Sequence, residues 1–150
     1  MSIPFTSTAG RAGLGMLIIA LASCTSPQAE CDQLRGALDE GSNRLQAIYE
    51  GNRGGSGFTQ GVERQIARIY FDTAQVVDSV SVSDRQLQNI QFQLVEAYQL
   101  ASDYRYQAAE IMAAPPDTVP ERNTQVRELQ LESDSTIAAA SSALDRRCPV

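Results

Sequence analysis

Apolar residues recur at alternating steps of three and four along most of the chain, which is the pattern of helices with one inward face. From Ala29 to about Asn52 the stripe is Cys31, Leu34, Leu38, Gly41, Leu45 and Ile48, with Gly41 its weakest helix former. A second stripe of Val62, Ile66, Ile69, Thr73, Val76 and Val80 predicts a helix from about Thr59 to Val80, with Thr59 as N-cap. The third stripe is the longest: Leu87, Ile90, Leu94, Ala97, Ala101, Tyr104, Ala108 and Ile111. Ser83 and Gln86 have the spacing of a capping box at its start, flanked by Val82 and Leu87 as a hydrophobic staple. Val126, Leu129, Ser133, Ile137, Ala140 and Leu144 make a fourth stripe that runs to about Arg147. Thr118 and Glu121 form a capping box ahead of it, with Pro120 in the first turn.

The breaks between stripes are equally marked. Gly51 to Gly57 holds four glycines in seven residues, a flexible loop that lacks both the Lys-Ser/Thr ending and the preceding strand of a phosphate loop. Pro115 and Pro116 stop the third helix. Ser79 to Val82 alternates like a short strand, so the end of the second helix stays open between helix and strand. Four amphipathic helices with short connections predict an all-α, antiparallel, up-down-up-down four-helix bundle over residues 31–150. In that topology the start of the first helix and the end of the fourth share one end.

Composition narrows the chemistry. The 150 residues include 12 Arg and no Lys against 18 Asp and Glu, with no His, no Trp and three Cys. Without His there is no imidazole base, no Ser-His or Cys-His pair, and no Glu-x-x-His for a metal site inside a bundle. The expectation is therefore a protein that is not an enzyme, with no catalytic residue, no metal and no cofactor. An acidic chain without Lys offers no broad basic surface for phosphates, so no nucleic-acid partner is expected.

The first 24 residues carry a resemblance. Arg11 precedes an apolar run from Leu14 to Ala22, too short to span a bilayer, and Leu21-Ala22-Ser23-Cys24 follows. This resembles the lipobox of bacterial lipoproteins. The resemblance implies a signal peptide over residues 1–23, cleavage before Cys24, lipid on the Cys24 sulfur, and a lipidated tether over residues 24–30 reaching roughly 20 Å. It also implies a membrane partner through that lipid and a stable anchor, because two or three acyl chains hold where one does not. Thr25 follows the Cys rather than Asp, which favours an outer membrane facing the periplasm. Export places Cys31 and Cys148 where disulfides persist, and the topology brings them to one end. A bridge between them would close a loop of about 118 residues, worth about 4 to 5 kcal/mol in the chain-entropy treatment. The alternatives are a lone apolar Cys at each end or an intermolecular link.

Apolar residues off the inward stripes are the candidates for function. Phe71 stands away from Ile69 and shares a side with Arg64 and Arg68. Phe92 stands opposite Ile90, with Gln99 and Tyr106 at heptad spacing, and Leu131 stands out on the fourth helix. Aromatics with Arg are the residue types of interface hot spots, so Arg64, Arg68, Phe71, Phe92 and Tyr106 form a candidate partner-binding set. The expected function is a lipid-anchored, non-enzymatic accessory, assembly or structural subunit that binds a protein. The alternative is a small-molecule or lipid carrier with a cavity lined by Val95, Tyr98 and Tyr104. The early and terminal cysteines around a Gln- and Ala-rich bundle also resemble small cyanobacterial lipoproteins of uncharacterised function. That likeness implies the thylakoid lumen as a second address, among acidic four-helix lipoproteins that bind photosystem complexes.

Overall fold

A computed structural model describes residues 26–52, 59–114 and 119–149. The lipobox, the glycine-rich segment from 53 to 58 and the Thr118 cap lie outside the described residues. Four helices follow in order: α1 Pro27–Gly51, α2 Gln60–Ser79, α3 Arg85–Ala113 and α4 Val119–Arg147. They pack as an antiparallel four-helix bundle. α3 lies along both α2 and α4, α1 packs chiefly on α2, and the disulfide joins α1 to the end of α4.

α1 begins two residues earlier than its apolar stripe indicates. The Ser26 hydroxyl accepts from the Ala29 N–H at 3.2 Å, and Pro27 occupies the first turn, where its missing N–H costs nothing. At Gly41 the helix comes close to α2: a Cβ added there would stand 2.3 Å from Thr73 Oγ1 and 3.0 Å from Thr73 Cγ2. The residue that weakens the helix as a helix is therefore what lets it seat against its neighbour.

α2 starts as expected, with Thr59 Oγ1 accepting from the Val62 N–H at 3.3 Å. Its inward face is rotated at the C-terminal end, where Val77 is buried and Val76 is 37% exposed. Residues 80–83 form no strand; instead Gln91 Nε2 donates to the Val77 and Val80 carbonyls at 2.8 and 2.7 Å, satisfying carbonyls that the end of α2 leaves open. The α3 cap also differs from the expected capping box. Asp84 is the N-cap, accepting from the Gln86 and Leu87 N–H groups at 3.0 and 2.9 Å.

Ser83 serves another purpose. The fully buried Glu30 carboxylate of α1 accepts from the Ser83 N–H at 2.9 Å, from the Ser83 hydroxyl, and from the Asp84 N–H at 3.1 Å. Next to Glu30, Cys31 is bonded to Cys148, and next to Cys148 the Arg147 guanidinium donates to Asp84 at 3.2 Å. Arg35 closes the group by donating to the Cys148 carbonyl. The starts of α1 and α3 and the end of α4 are thus fastened in one clasp. The apolar part of the interior is built from Leu34, Ile66, Val77, Leu87, Leu94, Leu144 and several alanines.

Gly41→Ala should lower stability by about 1 to 3 kcal/mol through overpacking against Thr73. In the Thr73→Ala background the same change should stabilise by up to about 1 kcal/mol, because the helix gain of Ala is then unopposed. Urea denaturation of the four variants checks this; equal effects in both backgrounds would contradict the close approach.

Candidate interaction face

Three contacts fix the register of α2 on α3. Arg64 reaches Glu110 at 2.6 Å, Ser102 Oγ donates to the Ala67 carbonyl at 2.9 Å, and Gln91 donates to the Val77 carbonyl. In this register Phe71 falls between the levels of Tyr106 and Phe92. Glu110 lies four residues after Tyr106 and about five helical turns after Phe92, so all three share one side of α3. Phe71 lies seven residues after Arg64 and so shares its side of α2.

The Arg64–Glu110 pair therefore sets Phe71 of α2 and Phe92 with Tyr106 of α3 along the same outward α2–α3 seam, the groove between the two helices. Phe92 is 61% exposed, Phe71 45% and Tyr106 41%. They form a row that runs along the helices for roughly 20 Å between Phe92 and Tyr106, rather than a compact patch. Arg68 stands exposed on the α2 rim and takes part in no ion pair among the described residues, whereas the Arg64 charge is already matched by Glu110. Leu131 is 60% exposed on the outer side of α4, away from this groove.

The residues of the expected cavity lie elsewhere in the packing. Tyr98 is buried with its ring edge-on to Tyr70, centroids 5.9 Å apart, and Val95 and Tyr104 are half-buried. Open surface grooves occur between α3 and α4 around Leu100 and Thr136, and beside the α2–α3 connection; neither is lined by Val95, Tyr98 or Tyr104.

Of the main charge cluster in the interior, only Ser133 belongs to an apolar stripe. Arg105, 2% exposed, donates to Glu63 at 3.2 Å, to Ser133 Oγ at 3.3 Å and to Asp134 at 2.6 Å. Glu63 is fully buried and accepts a further bond from Gln130 at 2.6 Å. The Tyr70 ring lies 6.0 Å from the guanidinium. Burial draws the Arg105 pKa down, but Tyr70, Glu63, Asp134 and Tyr49 together outweigh it and hold the guanidinium charged. Burial also pushes the Tyr70 and Tyr98 phenols up.

Arg105 replaces Tyr104 at the centre of the inward face of α3. The signal available in the sequence was Ser133, a polar residue within an apolar stripe that needs a partner when buried. Arg105, Glu63 and Ser133 are buried and bonded within this cluster, which joins α2, α3 and α4, while the Asp134 side chain is 58% exposed.

At the clasp, the Leu87 N–H is the largest cause holding the Asp84 carboxyl below its usual range; partial burial opposes it, and Arg147 and the Gln86 N–H add to it.

Compared with protein-family models, with curated proteins and with solved structures, the chain matches none.

Arg105→Met should cost about 3 to 5 kcal/mol, because Glu63 is left charged and buried without a cation. Adding Glu63→Leu should recover most of that loss in urea melts; a double variant as unstable as the single one would contradict the pairing. A second outcome concerns acid. A depressed carboxyl contributes stability above its unfolded pKa of about 3.9, and the contribution is lost as pH falls through the lower folded value. Asp84→Asn keeps the cap acceptor and removes the charge. Its melting temperature should lie below that of the parent at neutral pH and approach it in acid, and a constant gap across pH would contradict the assignment.

Proposed function

We propose that this protein is a lipid-anchored helical bundle that acts as a non-enzymatic accessory, assembly or structural subunit, binding another protein at a bacterial membrane through the outer α2–α3 groove. The observation that carries the binding part is the exposure of Phe71, Phe92 and Tyr106 along the α2–α3 seam, with Arg68 exposed on the α2 side. Large apolar rings standing in water cost free energy that a partner removes, and flanking Arg adds bidentate donors and stacking. The anchor rests on Leu21-Ala22-Ser23-Cys24 behind the apolar run. No helix among the described residues is long and apolar enough to cross a membrane, so the lipid on Cys24 is the attachment this proposal requires.

The absence of His from the chain supports a binding role over acid-base or nucleophilic catalysis. The membrane is the outer membrane with the bundle in the periplasm, or the thylakoid membrane with the bundle in the lumen.

The test is capture of the palmitate-labelled protein from its own membranes. One stoichiometric protein partner is expected. Phe92→Ala should weaken its capture by about thirtyfold, the equivalent of a 2 kcal/mol hot spot, with Arg68→Glu also weakening it and helical melting unchanged. Cys24→Ser should abolish labelling. Labelled protein recovered alone, or capture indifferent to both groove variants, would overturn the proposal.

A further inference from the structure

If Cys24 carries lipid, the structure leaves very little chain between lipid and fold. Ser26 is already fixed as the α1 cap, its carbonyl accepting from the Glu30 N–H at 3.1 Å and its hydroxyl from Ala29. Only Cys24 and Thr25 remain, a reach of about 7 Å. The start of α1 is bound through Glu30 and Cys31 to the starts of α3 and the end of α4, so this whole end moves with the tether.

We propose that the clasp end of the bundle is the surface that rests on the lipid headgroups, with the helices standing away from the bilayer and the α2–α3 groove held upright beside it. This rests on the anchor proposed above. Two bundle postures satisfy so short a tether, standing on the clasp end or lying along the flank of α1, and charge separates them. The clasp end carries Arg35, Arg85, Arg146 and Arg147 against five carboxylates, of which Glu30 is buried and Asp84 is paired with Arg147. The other described residues carry six Arg against twelve carboxylates. Anionic headgroups therefore repel the flanks and the far end while tolerating the clasp end. A helix the length of α3 then carries its other end about 44 Å from the surface.

The chain has no Trp, so a single introduced indole reports its own position. The lipidated full-length protein is reconstituted into phosphatidylcholine–phosphatidylglycerol vesicles in which some headgroups carry a nitroxide quencher. Three exposed positions are compared: Ser81→Trp at the clasp end, Asn43→Trp on the α1 flank and Ala114→Trp at the far end. Gln86→Trp is a second reporter at the clasp end should Ser81→Trp perturb folding.

The expected result is loss of most emission at the clasp end and none at Asn43→Trp or Ala114→Trp. Quenching at Asn43→Trp equal to that at the clasp end means the bundle lies flat, and quenching at Ala114→Trp means it is inverted or untethered; either overturns the orientation while the anchor stands. Protein that fails to float with the vesicles overturns the anchor itself, and the orientation with it.

Discussion

Glu30 is a carboxylate held out of water one turn into the first helix, and the geometry of one end of the molecule follows from how it is compensated. An unpaired buried charge costs several kcal/mol, so it must be met by donors fixed in place. The donors here are the Ser83 and Asp84 N–H groups and the Ser83 hydroxyl, which lie at the positive end of the α3 dipole. Setting α1 against the start of α3 in this way places Cys31 where Cys148 meets it at a Cα separation of 5.8 Å. The adjacent Arg147 then meets Asp84. Helix capping, ion pairing and the covalent bond all act on the same few residues.

The Arg105 cluster does for three helices nearer the other end what the clasp does here. Around these polar groups the interior is mostly apolar and small-residue packing is tight, with Ala67, Ala101, Ala108 and Ala109 fully buried. Apolar burial favours compaction without fixing which turn faces which. The paired charges on α2, α3 and α4 admit few registers, since a slip by one turn separates Glu63 from Arg105 and leaves both buried.

The helices were readable because periodicity depends only on which positions are apolar. The Cys31–Cys148 pairing was readable because an antiparallel bundle brings its two ends together. What escaped were choices decided by partners distant in sequence. Ser83 and Asp84 are both good N-caps, and the choice between them is made by Glu30, more than fifty residues away. Val76 and Val77 are equally apolar, and the one buried is set by how α2 rotates onto its neighbours. Arg105, next to Tyr104, reads as solvent-facing in the sequence because its counterions stand on other helices. The candidate face is readable in part: the sequence names its aromatics, while the Arg64–Glu110 contact that sets them along one α2–α3 seam depends on register.

In the proposed arrangement a short tether on Cys24, a rigid attached end and exposed rings along α2 and α3 together make a domain that presents one side of itself at a fixed height. The most direct measurement is photo-crosslinking in the native membrane, with a photoreactive residue in place of Phe92 in the α2–α3 groove or of Leu131 on the outer side of α4. A single discrete adduct from the Phe92 position and none from the Leu131 position is the expected result. No adduct at the Phe92 position, or the same products from both, would contradict a partner-binding role for this groove.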